Sequence, residues 1–548
     1  MSLCPLIAIF SFEALRVNRT VRFSSMAAVV AMSFVMGTTA PAQAQVTAFR
    51  QAVAESVAMD DELAAFYRAR DFASIWTGSD EVAQARRNAL LGAFADAPLH
   101  GLPAEKFDPN ALIARLQSAK TAYEQGAMEV ELSELFLTYA RDVQTGILNP
   151  NRVLDAIKRE VPVHDRIETL NGFLAADPVQ FLRSLAPQSA EYARLMRSKM
   201  RLEHQMARGG WGETVPEGTL RPGDSGAAVV ALRNRLIAMG FMERSVTAIY
   251  DATLQAAVQK FQEYNGLTAD GVAGGSTIVE LNRPIEGRLQ SVIVAMERER
   301  WLNIPRGERH IWVNLTDFTA KIIDNDIVTF ETRSVIGANS SDRQSPEFSD
   351  LMEFMVINPS WYVPRSIIVN EYLPRLQADA GAVSHLQVVA SNGQVVNRAN
   401  GFSQYSASSF PFSMRQPPGP GNALGSVKFM FPNRYNIYLH DTPAQNLFSR
   451  EVRAFSHGCI RLDDPHDFAY ALLARQTSDP VEYFQSRLRS GQETRVDLEV
   501  PVPVHLDYRT AFTNVDGSLQ YRRDIYGRDA VIWDALAREG VAAGGVQG

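Results

Sequence analysis

From Val46 to about Met206, apolar residues recur every three or four positions, the spacing that gathers them on one face of an α-helix. DDELAAFYRARDF and EVELSELFLTYARDVQTG carry the pattern most clearly, and in the second Leu132, Leu135, Phe136 and Tyr139 share a face. LPAEKFDPN and ILNPNR interrupt it as interhelix loops, with Asp108 and Asn149 standing before prolines where helix caps belong. No cluster of catalytic residue types falls here, and residues 46–208 read as a helical scaffold domain. GGWGETVPEGTLRPGDSG then marks a linker near 209–226. After about Arg306 the period changes. RHIWVNLTDFTAKIID, DIVTFETRSVIG, EFMVINPSWYVP and VKFMFPNRYNIYLH are β-branched and aromatic with partial alternation, so residues 306–510 form a mostly-β domain. Within it, about 370–412 is a polar, Ser/Gly/Asn-rich insertion that opens on a short helical piece, VNEYLPRLQAD. Its size and place between strong strands predict a mobile lid. Residues 511–548 read as a C-terminal tail. The fold class is therefore multi-domain α+β.

Between scaffold and β domain lies a compact helical module, 219–283. One amphipathic helix points Val229, Leu232, Leu236 and Met239 inward, and a second points Leu254, Val258 and Phe261 inward. A tight turn at Asp270-Gly271 precedes a third helix start at Ser276-Thr277. With Gly223-Asp224, Gly240, Tyr250-Asp251, Ala257-Val258 and Phe261-Gln262, this spacing resembles the helical peptidoglycan-binding module of secreted bacterial wall enzymes.

At 548 residues, 46% hydrophobic and 21% charged, the chain is long enough for several ordinary globular domains. A net charge of −7 gives no reason to expect nucleic acid. RVNRTVRFSS, the short apolar run MAAVVAMSFVM and the A-x-A spacing of Ala42 and Ala44 predict a signal peptide over 1–44 and export to the periplasm. The run is too short to span a bilayer comfortably, so no integral membrane segment is expected after cleavage. Cleavage removes Cys4 and leaves Cys459 as the one cysteine. A lone cysteine in an exported chain is an unpaired and potentially reactive thiol.

Cys459 sits in AFSHGCIRLDDPHDFAYALLAR, in a loop ahead of a helix that Asp464-Pro465 would open. In the strand YNIYLH, His440 closes the more polar face, and fifteen residues separate it from Ser456-His457-Gly458-Cys459. A cysteine nucleophile needs a base to make thiolate and donors for the oxyanion formed at the attacked carbonyl. Either His440 or His457 could be the base. Gly458 allows a tight turn that aims the amides of Gly458 and Cys459 at one point.

The histidine, the spacing and the Ser-His-Gly-Cys sequence resemble the YkuD-type L,D-transpeptidases. INPSWYVP, RQPPGPGNALGSVKFMFPN and YNIYLHDTP extend the likeness. The order of scaffold, binding module and β domain resembles the large multi-domain periplasmic subgroup of Gram-negative bacteria (YcbB-like). The resemblance implies Cys459 as nucleophile and His440 as proton acceptor and donor. His457 and the Gly458 and Cys459 amides would support the oxyanion or position the donor, and Ser456 would orient its neighbours. It also implies Trp361, Tyr362, Tyr438, Arg461 and Asn422 as substrate-binding residues. Arg461 stands where many smaller members have Asn, as in the large subgroup. The implied reaction forms a 3→3 peptidoglycan cross-link between a donor tetrapeptide and an acceptor amine, without cofactor or metal, at a carbapenem-sensitive thiol. Two other readings fit parts of the chain. His440, His457 and Cys459 could hold zinc in a wall peptidase, although no Cys-x-x-Cys or His-Glu-x-x-His signature accompanies them. The helical half and the module could make a non-catalytic wall-binding scaffold. The acceptor's identity, protein partners and oligomeric state have no signature in the sequence.

Overall fold

The computed structural model describes residues 40–544, with side chains from residue 47. The expected leader lies outside the described residues up to residue 39, and Cys4 with it. Among the described residues no helix is long and apolar enough to cross a membrane.

The scaffold's longest helix, Ala122–Thr145, opens on a capping box between Thr121 and Glu124. It buries Leu132, Phe136 and Tyr139, as the periodicity requires, and half-buries Leu135. Glu129 on the same helix is fully buried and accepts the amides of Ile75 (2.6 Å), Trp76 (3.1 Å) and Thr77 (2.8 Å), so one carboxylate pins a neighbouring loop. Asp108 caps the helix Pro109–Ser118 and Asn149 precedes the helix Pro150–Val153.

Two further segments belong to this core. The helix Ile285–Trp301, which leads out of the binding module, buries Leu289, Val292, Ile293 and Met296 in the scaffold. Residues after 510 do not form a tail. Ala511, Ile532, Leu536 and Val541 complete the same apolar cluster, through a hairpin of Ala511–Thr513 and Leu519–Tyr521 and the helix Arg528–Arg538. That helix spans only three turns, and its apolar stripe is too short to stand out from the sequence. The scaffold is thus built from three separated stretches of chain.

The module forms three helices, Ala227–Ala238, Ala252–Tyr264 and Gly275–Leu281, around Val229, Leu232, Leu236, Leu254, Val258 and Phe261. Met239 lies at its edge. The Gln262 side chain ties the Asp270-Gly271 turn by accepting the Gly271 amide at 2.8 Å and donating to Asp270 at 2.9 Å.

In the last domain the strands are β1 (Arg309–Asn314), β2 (Thr319–Asp324), β3 (Ile327–Gly337), β4 (Phe348–Ile357), β5 (Trp361–Tyr362), β6 (Gln387–Val389), β7 (Ser413–Gln416), β8 (Val427–Met430), β9 (Leu439–His440), β10 (Ala454–Ser456), β11 (Ile460–Leu462) and β12 (Thr494–Asp507). The main sheet runs β10-β3-β11-β9-β8-β4-β12-β1-β2, and β2 also pairs with β3, so the sheet closes on itself. The long β12 was not legible. Its run VPVP places prolines where a ladder amide belongs, and the strand accommodates Pro501 at a register break between Asp497 and Val502. The insertion is more than a polar loop. β5, β7 and β6 form a separate small sheet, and Val363, Ile368, Leu373, Leu376, Val388, Phe402, Phe410 and Met414 pack beneath it as their own core. As a packing unit it runs from about 361 to 416, wider than its composition suggested.

Scaffold and β domain meet through buried ion pairs. Glu347, fully buried just ahead of β4, accepts Arg298 from the helix Ile285–Trp301 and Arg528 from the C-terminal helix (2.9 Å). Arg298 also reaches Asp529 at 3.0 Å, and Arg509 bridges Asp507 (2.5 Å) and Glu299 (2.7 Å). Removing one partner of such a pair leaves an uncompensated buried charge. Glu347→Ala should therefore cost about 3–5 kcal/mol of stability, read as a lower denaturation midpoint in urea. A shift under about 1 kcal/mol would show that the pair behaves like an exposed one.

Candidate active site

Parallel pairing of β11 with β9 sets Ile460 beside Leu439 and Arg461 beside His440, and antiparallel pairing of β8 with β9 sets Lys428 beside His440. Side chains alternate between faces of a sheet. Phe429, Leu439 and Ile460 face the interior and are fully buried. Lys428, His440 and Arg461 therefore share the opposite, cleft face, with Tyr438 and Cys459 one two-residue step away. His440 is buried and Cys459 half-buried.

The His440 Nδ1–H donates to the Asp441 carbonyl at 2.5 Å, so its Nε2 carries no proton and can accept one. The Asp441 carboxylate is itself fixed by the Ser426 amide and hydroxyl, both at 2.7 Å, and His466 Nε2 lies 2.7 Å from that hydroxyl. Burial first, then the nearby Arg461, pushes the His440 imidazole down to about 3, against the Asp441 carbonyl. Burial pushes the Cys459 thiol up to about 11, opposed by the Tyr438 amide and hydroxyl and by Arg461. The resting pair is a neutral thiol and a neutral imidazole. The thiol donates to the Asn436 carbonyl at 3.5 Å, and Asn436 holds φ +55°, a left-handed geometry that Asn tolerates.

The turn before Cys459 is built around a serine. Ser456 Oγ donates to the Cys459 carbonyl at 2.6 Å and accepts the Gly458 amide at 3.1 Å. This corrects the expectation that the Gly458 amide joins an oxyanion site, because that donor is spent inside the turn. Gly458 holds φ +113°, and a Cβ there would come within 3.1 Å of Ile437, so only glycine fits. From below, Ser345 Oγ donates to the Gly458 carbonyl at 2.6 Å, and Arg528 holds the Ser345 carbonyl at 2.7 Å.

His457 does not meet His440 in this arrangement. Its Nε2 donates to Glu371 of the insertion at 2.7 Å, and Arg343 donates to the same oxygen at 2.9 Å. Glu371 lies on a π-helical turn, Ile368–Tyr372, with no signature in the sequence. Among the described residues no three His, Cys, Asp or Glu side chains converge as a metal-ligand set.

The substrate-binding candidates separate. The Trp361 side chain lies near enough to the Tyr438 hydroxyl to oppose the rise that burial imposes on it, and the Tyr438 ring lies 5.6 Å from that of His440, so both belong to the cleft. Arg461 lies there too. Tyr362, next along β5, alternates to the other face and is 63% exposed. Asn422 is a correction. It is fully buried, its amide nitrogen donates to the carbonyls of Pro359, Gln416 and Pro417, and its oxygen accepts the Leu424 amide. With every polar atom committed it clamps the loop before β8 and has nothing left for a ligand. Lys428 and Asp441 were missed. The single polar position in VKFM was the available signal for Lys428.

Three family models match in the order of the domains: "Scaffold domain" over 61–198, "Putative peptidoglycan binding domain" over 225–281, and the YkuD family's "L,D-transpeptidase catalytic domain" over 308–482. A Haemophilus influenzae protein described as "Putative L,D-transpeptidase" is 30% identical over 253 residues, 45% of this chain. The chain spans about half (51%) of that relative's length. Crystal structures of an L,D-transpeptidase from Xylanimonas cellulosilytica (15% identity, TM-score 0.17) and one from Stackebrandtia nassauensis (14%, TM-score 0.20) each align over 98% of their length and 54% of this chain. At those scores they carry no geometric argument. The family matches fall on the domains already separated by their packing: the chain carries a YkuD-family L,D-transpeptidase catalytic domain that follows a scaffold domain and a peptidoglycan-binding domain, in an arrangement that fits the YcbB-like members.

Proposed function

We propose that this chain is a periplasmic peptidoglycan L,D-transpeptidase that works through Cys459. The observation that supports the reading is a half-buried thiol two residues along the chain from Arg461, the register partner of a histidine whose Nδ1–H is tied to a backbone carbonyl. As Cys459 Sγ attacks the carbonyl carbon between diaminopimelate and D-alanine, His440 Nε2 takes the thiol proton. The oxyanion forms beside the Cys459 amide and the Tyr438 hydroxyl. Collapse breaks the C–N bond, His440 returns the proton to the leaving amine, and a thioester remains. The side-chain amine of a second stem attacks that thioester and loses its proton to His440. The thiolate leaves and is reprotonated, and the product is a 3→3 cross-link. The binding module would hold the glycan, and Trp361 with Tyr438 would line the donor groove.

The insertion is proposed as the lid of this cleft, latched by Glu371 to His457 and Arg343. With both loops held by one carboxylate, lid position and the shape of the Cys459 turn are coupled.

Cys459→Ala should abolish cross-linking with the fold intact, and His440→Ala should lower acylation by about 10²- to 10⁴-fold. Intact-mass spectrometry should find one carbapenem adduct per chain, mapped to Cys459. An adduct on a serine, or cross-linking by folded Cys459→Ala, would refute the mechanism. Because the resting thiol is protonated, iodoacetamide alkylation should keep rising up to about pH 9. A rate already constant from about pH 5 would mean a preformed thiolate–imidazolium pair. Glu371→Ala should lower donor acylation about tenfold and speed protease nicking of 361–416, with the melting temperature of the whole chain little changed. Unaltered nicking and acylation would mean that the latch does not hold the lid.

A further inference from the structure

The row Lys428–His440–Arg461 crosses three adjacent strands, so its side chains leave the sheet together on the cleft face. Neighbouring strands stand about 4.8 Å apart, which places the two cations about 10 Å from each other with the histidine between them. Neither cation makes an ion pair or a side-chain hydrogen bond to any described residue, and the Arg461 Nε is buried without a partner. The carboxylates nearby are engaged elsewhere. Glu493 accepts the Ser360 amide, and Asp441 is taken by Ser426 and by the Thr442 amide.

Buried cations elsewhere are matched: Arg235 by the carbonyls of Leu281, Gly212 and Arg283, and several others by carboxylates. Arg298, Arg300, Arg509 and Arg528 each meet a carboxylate within ion-pair distance. A half-buried cation without a counter-ion carries a desolvation cost that an arriving anion relieves. That cost is visible here, since burial lowers both Lys428 and Arg461 from their ordinary values.

We propose that Lys428 and Arg461 form a carboxylate subsite around His440 that binds the C-terminal carboxylate of the donor stem. The inference rests on the transpeptidase reading and names what the donor end touches. The terminal carboxylate of D-alanine lies only about one residue length, roughly 3.8 Å, beyond the scissile carbonyl. Arg461 is two residues along the strand from Cys459, about 6.6 Å in backbone terms, within reach of its long side chain. A carboxylate held there sets the amine of the departing D-alanine beside His440, the group that must protonate it. The same subsite favours a stem ending in a free acid over one that continues or is amidated.

The test uses Cys459→Ala protein, which cannot turn over, and calorimetric titration with three synthetic peptides. These are the stem tetrapeptide, its C-terminal carboxamide, and the tetrapeptide amidated on the diaminopimelate side-chain carboxyl. The tetrapeptide should bind about 10- to 100-fold more tightly than its C-terminal carboxamide, and side-chain amidation should matter little. Adding Arg461→Gln, or separately Lys428→Gln, should shrink the discrimination while the carboxamide binds as before. Equal binding of acid and carboxamide, no measurable binding of the acid, or loss of affinity for all three peptides alike in both variants would overturn the proposal. A preference that follows the diaminopimelate carboxyl would overturn it as well. Failure of the wild-type protein to form an acyl adduct would count against the reaction and leave the binding preference standing on its own measurement.

Discussion

The buried carboxylate of Glu347 is the contact on which the arrangement depends. It is fully enclosed and neutralises Arg298 from the helix that links module to scaffold and Arg528 from the C-terminal helix. Without it Arg528 would have no carboxylate partner and Arg298 would keep only Asp529, and the carboxylate could not stay without them. The consequence reaches the Cys459 turn in a few steps. Arg528 also holds the Ser345 carbonyl, and Ser345 Oγ holds the Gly458 carbonyl. The C-terminal segment that completes the scaffold core thus also supports the loop carrying Cys459. This explains why a helix far along the chain from the Ser-His-Gly-Cys sequence is packed so firmly against the loop 338–347.

On that support the sheet does the chemical positioning. Adjacent strands bring Tyr438, Cys459, His440, Arg461 and Lys428 to one face, and the interior face of the same strands is sealed by Phe429, Leu439 and Ile460. Burial decides the protonation states. It keeps His440 neutral at about 3 and Cys459 protonated at about 11, so the proposed attack on a carbonyl requires a proton to move. The two unmatched cations point the same way, since positive charge beside an imidazole disfavours imidazolium.

Much of this was legible. The histidine, its spacing to Ser456-His457-Gly458-Cys459, the module's apolar positions and the barrel strands with clear alternation could all be read locally, because each depends on a short period or a short motif. What could not be read depends on partners far along the chain. The segment after residue 510 looked like a tail because its apolar stripe is brief and its core lies among residues of the first third. Asn422 looked like a ligand-facing polar residue, and only the carbonyls of Pro359, Gln416 and Pro417 converging on it reveal a clamp. The Gly458 amide looked available until the Ser456 hydroxyl was found to take it. Glu371 carries no motif at all, and its meaning comes from where a π-helical turn delivers it.

The central claim is that this cleft exchanges a D-alanine for an amine at diaminopimelate. The most direct measurement is to incubate the mature protein with purified tetrapeptide-containing wall fragments and read the products by mass spectrometry. The account predicts dimers joined between two diaminopimelate residues, with one D-alanine released for each cross-link. Fragments recovered unchanged by well-folded protein, or dimers that retain both D-alanines, would contradict it.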